Sequence, residues 1–209
     1  MRNGPILVCV MGVTNTGKST LLDRMKTSEK SLRFGFIEVG KELRRRHPPE
    51  YFNGFAAMKE TEEEVWDIFD KQYNEAKEAG ADYIICDGQP RMDVQLEVMK
   101  RKYAPLIFIL LTTEDSTLKK RAGERDLNNS SATKLSMDRL RNDFSQMYYV
   151  LAEILKDPNL RNLVIVQPTD EPMTQVYLPA LQQRNNLGSA HIPWEEACII
   201  RMLEMSYDL

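Results

Sequence analysis

The sequence predicts an α/β fold of three layers, α/β/α, with a five-stranded parallel sheet in the middle. Three observations carry that expectation. Five short apolar runs, at 5–11, 34–39, 82–86, 105–111 and 162–167, are almost continuously hydrophobic, which marks strands covered on both faces; half-exposed strands would alternate. Helical patterns separate the runs, as the crossovers between parallel strands require. A polar, glycine-bounded stretch at 12–20 joins the first run to the first helical pattern, at the carboxyl end of a strand, where such sheets bind ligands.

At 209 residues the chain is sized for one well-buried domain,. A hydrophobic fraction of 42% and a charged fraction of 28% are those of a globular protein,. The net charge of -3 gives no footprint for nucleic acid, so no nucleic-acid partner is expected,. Any anion must be met locally, for instance by the cluster Arg44, Arg45, Arg46 and His47,. The apolar runs are too short for a bilayer and the N-terminus lacks a signal-type pattern, so no membrane association and a cytoplasmic location are expected. Cys9, Cys86 and Cys198 are odd in number and widely spaced, and read as reduced core thiols. With only His47 and His191, no zinc set assembles at recognised spacings,.

Taken in order, the first run leads into "GVTNTGKS" at 12–19, which fits G-x-x-x-x-G-K-[ST] between a strand and a helix. A phosphate chain carries more charge than side chains alone hold well, so such a loop turns successive backbone N–H groups inward at a helix N-terminus, and glycine permits the curvature. Gly12, Asn15, Thr16, Gly17, Lys18, Ser19 and Thr20 are therefore the candidate contacts to a nucleoside triphosphate. Lys18 is placed to reach the β and γ phosphates, the Ser19 hydroxyl to hold Mg2+, and Thr20 to add a donor.

After the second run, a helix opens on a capping box, Thr61 with Glu64, and buries Val65, Phe69, Ala76 and Ala79 before stopping at Gly80,. The third run delivers Asp87 at its carboxyl end, where a magnesium-ordering carboxylate belongs,. After the fourth, Leu140, Phe144, Met147, Leu151 and Ile154 form an apolar helical stripe ended by Asp157 and Pro158,. Beyond the fifth, 168–182 reads as one helix, 182–190 as a loop, and 193–206 as a final helix opening with proline,. Trp194, Cys198, Met202 and Met205 share a face of that helix, suited either to the parent domain or to a partner,. No N-K-x-D guanine-reading motif follows a later strand, which argues against a GTPase.

Asp87, Gly88, Pro90, Arg91 and Gln95 spell D-G-x-P-R-x-x-x-Q, and Ile37, Gly40, Leu43 and Arg44 match I-x-x-G-x-x-L-R. With the phosphate loop, these segments resemble the adenylate kinase family of nucleoside monophosphate kinases over 1–167. Gln89 stands where the family has phenylalanine, Val39 and Lys41 where it has threonine and aspartate, and Asn15 where it has a loop glycine. The resemblance implies an acceptor site of Val39, Gly40, Arg44, Gly88, Arg91 and Gln95, in which the arginines clamp the monophosphate and the glutamine reads its base. It also implies an acceptor-binding helical segment at 40–80 and a short lid at 121–140. Arg121 and Arg125, with Arg139 or Arg141, would stabilise the moving charge.

The implied activity is phosphoryl transfer from ATP-Mg to a nucleoside monophosphate, AMP or dAMP being expected, with 168–209 as a C-terminal helical extension. Two other readings fit the same residues: a kinase of another small acceptor, and a catalytically silent nucleotide-binding protein that contacts partners through its last helix.

Overall fold

A computed structural model describes residues 4–27, 33–48, 62–103, 105–128, 137–176 and 190–206, with only the backbone described at 125–128, 137–142, 173, 175–176 and 190–191. All five apolar runs form strands: β1 Ile6–Met11, β2 Phe34–Ile37, β3 Tyr83–Asp87, β4 Leu106–Thr112 and β5 Val164–Pro168. They pair in parallel in the order β2-β3-β1-β4-β5. The expected three-layer α/β/α fold is present.

Alternation along β1 sorts the two outer layers. Leu7, Cys9 and Met11 pack with α3 (Glu62–Glu78), α4 (Asp93–Lys102) and α6 (Met137–Lys156) through Ile68, Phe69, Leu96, Met99, Val150 and Ile154. Ile6, Val8 and Val10 pack with α1 (Lys18–Thr27) and the C-terminal helix α7 (Trp194–Ser206) through Leu21, Leu22, Met25, Trp194, Cys198 and Met202. Each such side chain contributes about 1.5–3 kcal/mol by leaving water. The last helix thus belongs to one layer of the domain, and its apolar face covers the sheet. The remaining helices are α2 (Val39–Arg46) and α5 (Asp115–Asn128).

The segment after β5 departs from the expected single helix. Met173–Val176 is a strand, β6, paired antiparallel with β7 at Ala190–Pro193, Met173 opposite Pro193 and Val176 opposite Ala190. Pro172 and Pro179 bracket β6, and proline is excluded from a helix interior, while Thr174 and Val176 are β-branched. Among the described residues after β5, an antiparallel strand pair precedes the last helix, and Pro193 ends β7 where it was expected to open the helix.

Helix α3 stops as expected at Gly80, whose φ is 81°. The Gly80 N–H donates to Lys77 O and the Ala81 N–H to Ala76 O, satisfying the last carbonyls in a Schellman turn,. Ala79, expected on the buried stripe, is exposed. Thr61 of the expected capping box lies outside the described residues, and the Glu64 carboxylate instead meets Arg46 and His47. The buried line of α6 is rotated from the expected stripe. Val150 and Ile154 are fully buried and Phe144 is 45% exposed, so the inward line runs Met147, Val150, Ile154 and, one turn earlier, Asp143. Cys9, Cys86 and Cys198 are buried free thiols; burial pushes all three up, Cys198 to about 12.

No helix among the described residues is long and apolar enough to cross a membrane.

Strand β2 meets α3 so closely that a Cβ at Gly35 would lie 2.4 Å from Ala76 Cβ. Gly35→Ala is expected to cost about 1–3 kcal/mol by overpacking, and to cost less in an Ala76→Gly background. Urea denaturation of the four chains measures this, and equal costs in both backgrounds would contradict the contact.

Candidate phosphate-binding site

The loop between β1 and α1 is held from outside by its carbonyls. Lys18 Nζ donates to Gly12 O at 2.7 Å and Val13 O at 2.8 Å, and Thr16 Oγ1 donates to Val13 O at 2.8 Å. Arg121 Nη1 donates to Asn15 O at 3.2 Å, and Thr169 Oγ1 to Thr16 O at 2.9 Å. With the carbonyls of residues 12, 13, 15 and 16 satisfied by the protein, the turn favours presenting N–H groups to its concave side, the arrangement that binds anions.

The turn needs positive φ at Gly12 (144°), Asn15 (70°) and Gly17 (96°). Asparagine tolerates the left-handed region better than most residues, which accounts for Asn15 in a position where a glycine was expected. At Gly12 a Cβ would lie 2.6 Å from Thr16 Oγ1 and 2.8 Å from Leu111 O, so glycine is required there,. Behind the loop, two ring carbons of Trp194 lie 3.2 Å from where a Gly17 Cβ would be. Helix α7 is fixed there by an Arg24–Glu196 ion pair to α1, by Arg201 Nη1 donating to Gln167 Oε1 at 3.0 Å, and by a Tyr83–Ser206 hydroxyl contact of 2.8 Å.

The neighbouring strands bring the other expected residues to the same edge of the sheet. Val10 of β1 is in register with Asp87 of β3, and the Gly88 N–H donates to Val10 O at 2.9 Å, which continues the ladder into the turn. Asp87 Oδ1 is buried without a hydrogen-bond partner among the described residues. A desolvated carboxylate oxygen of this kind fits a divalent cation or its bound water. With the Ser19 hydroxyl exposed at the start of α1, the donor set is of the hard oxygen type that suits Mg2+. Thr20 is likewise exposed.

Arg91 folds back over Gly88, its Nε donating to Gly88 O at 3.1 Å. Gln95, expected to read the acceptor base, is buried, and its Oε1 accepts the Arg91 N–H at 2.8 Å. In this conformation its oxygen shapes the turn that carries Arg91. On α2, Arg45 and Arg46 both donate to Glu42, holding its carboxyl down at about 2. Arg44 instead lies over Gly40, Nη1 3.4 Å from an ideal Cβ there. Val39, expected near the acceptor base, is 1% exposed and belongs to the core beside Ile37. Its side chain packs the base of α2.

Arg121, expected at the entrance of a lid, is tied to the outer wall of the loop by its bonds to Asn15 O and to the hydroxyl and carbonyl of Thr169. The side chains of Arg125, Arg139 and Arg141 lie outside the described residues, as does 129–136 of the expected lid. Of the expected acceptor segment, 49–61 is likewise outside them.

Three residues of the site were not expected there, Trp194 having been read only as part of the last helix's apolar face. Thr169 bonds Thr16 O from the end of β5, Trp194 backs Gly17, and Asp143 Oδ2 accepts the Thr14 N–H at 3.2 Å and the Thr14 hydroxyl at 2.7 Å. Only Asp143 left a signal, as a polar residue four before Met147 on the helix.

The parallel sheet order and the loop after the central strand together define a phosphate-loop NTPase fold of the three-layer α/β/α type. A chain from the Pnkp1/Rnl/Hen1 RNA repair complex superposes with a TM-score of 0.54 at 15% identity, over 73% of this chain and 47% of that one, so the present chain spans about half of it. A gluconokinase from Sinorhizobium meliloti 1021 gives 0.49 at 19% identity over 82% and 86% of the two chains. A sugar kinase from Janibacter sp. HTCC2649 gives 0.47 at 18% over 78% and 85%. No family model and no curated protein matches the sequence.

Two substitutions separate support of the loop from its curvature. Trp194→Ala is expected to cost about 3–5 kcal/mol in urea denaturation, as a large buried ring is lost. Gly12→Ala is expected to leave a folded chain by circular dichroism that binds ATP at least about tenfold more weakly by calorimetry, a loss of about 1.4 kcal/mol; unchanged affinity would contradict the loop assignment.

Proposed function

We propose that the chain is an ATP-dependent phosphotransferase, a nucleoside monophosphate kinase using ATP and Mg2+, with AMP or dAMP as acceptor. The observation that carries this reading is the alignment of three segments along one sheet edge. The phosphate loop leaves β1, the turn with Asp87 and Arg91 leaves β3, and α2 with Arg44 leaves β2, and these three strands are adjacent in the sheet. A donor phosphate cradle therefore lies beside two arginine-bearing segments suited to a second phosphate.

In this reading the loop N–H groups and Lys18 hold the donor phosphates, for which Lys18 exchanges its bonds to Gly12 O and Val13 O. Ser19 and Asp87 are the residues that would hold Mg2+, which when bound neutralises charge on the transferring phosphate. Arg44 and Arg91 orient the acceptor phosphate. No strong general base is needed, because the acceptor phosphate is already an anion at neutral pH. Arg121 braces the loop and contributes positive charge at its outer wall. Arg125 from α5 and Arg139 or Arg141 from α6 would add positive charge to the transfer.

A second reading, a kinase of another small acceptor, is favoured by one observation: Gln95 is buried with its oxygen on the Arg91 N–H, and so does not present a base-reading amide. The acceptor decides between the two. Diphosphate formation from ATP-Mg with each common ribo- and deoxyribonucleoside monophosphate is expected for AMP or dAMP, with turnover lowered at least about a hundredfold by Lys18→Ala and by Arg91→Ala, about 2.7 kcal/mol of transition-state stabilisation each. ATP binding without transfer to any nucleotide acceptor would favour the second reading.

A further inference from the structure

The contact between α6 and the phosphate loop joins residues 129 apart in sequence, and no step of the proposed transfer uses it. Asp143 lies on the inward line of α6, one turn before Met147, where the apolar core gives way to the loop. Its Oδ2 accepts from both the backbone N–H and the hydroxyl of Thr14. A carboxylate is therefore seated on an amide of the same short turn whose other N–H groups are offered to phosphates. Bonds from neutral donors to a charged acceptor are stronger than neutral pairs, and two anions drawn to one small cluster of donors both compete and repel.

We infer that Asp143 is a positioning residue that competes with nucleotide phosphate for the loop: it clasps α6 to the loop through Thr14, and nucleotide binding releases it. The inference rests on the proposed binding of ATP by the loop. Its consequence is a coupling between nucleotide binding and the placement of α6, and such a coupling is reciprocal. A clasp that held α6 whether or not nucleotide was bound would need no charge; a competitor does.

The test uses the full chain as wild type, Asp143→Asn and Asp143→Ala. Asparagine keeps an acceptor oxygen for Thr14 and removes the charge, so it separates a neutral brace from a competing anion. ATP-Mg affinity by calorimetry is expected to rise in both variants, by about tenfold in Asp143→Ala, the equivalent of about 1.4 kcal/mol. Hydrogen exchange over 143–150 is expected to quicken when ATP is added to wild type and to stay unchanged by ATP in Asp143→Ala. Affinities equal to or weaker than wild type in both variants, or wild-type exchange insensitive to bound ATP, overturn the coupling and leave nucleotide binding in place. Failure of all three chains to bind ATP overturns both.

Discussion

The constraint on which the site depends is that the loop's carbonyls must be satisfied from outside. A tight turn buries or crowds its peptide groups, and each carbonyl without a partner costs free energy. Here the partners are four residues from three parts of the chain: Lys18 and Thr16 at the loop, Arg121 from α5, and Thr169 after β5. Those bonds fix which side of each peptide faces the protein, and so which side faces an arriving anion. Trp194 adds steric backing behind Gly17. The C-terminal helix, which sequence alone left open as either a domain element or a partner surface, is thereby part of the phosphate site's foundation.

The parallel order of the sheet sets this local arrangement beside two arginine-bearing segments. Because β1 is central and β3 and β2 follow it on one side, the loop and the turn at 88–91 and the start of α2 emerge side by side. Asp87 and Arg91 need only the register of β1 with β3 to reach the loop. The arginine-rich α2 is more selective than its composition suggests, since Glu42 draws Arg45 and Arg46 to one side and Arg44 alone of the three is placed over Gly40.

The elements set by strong local rules were legible from residues alone. Continuous apolar runs found all five strands, and the spacing of Gly12, Gly17, Lys18 and Ser19 found the loop. The position of Asp87 at the carboxyl end of β3 was legible because it closes an apolar run. What was not legible depends on contacts across the chain. The apolar stripe of α6 was read through Leu140 and Phe144, whereas the buried line passes through Asp143, a polar residue made useful only by Thr14 on a distant loop. The hairpin of β6 and β7 pairs residues separated by 13 or more positions, and its short strands carry little periodicity of their own. Gln95 was assigned from its place in a motif, but its burial and its bond to the Arg91 N–H follow from how the turn closes.

In the proposed function the phosphate loop and the Arg44–Arg91 side form one continuous site for two nucleotides. Its most direct test is the affinity of a dinucleotide carrying two adenosines joined by five phosphates, measured beside ATP by calorimetry. The account predicts binding at least about a hundredfold tighter than ATP, or roughly 2.7 kcal/mol, because the second nucleotide binds at high effective concentration, with that advantage abolished by Arg91→Ala. Equal affinity for the two ligands, unaffected by Arg91→Ala, would contradict a joined acceptor site.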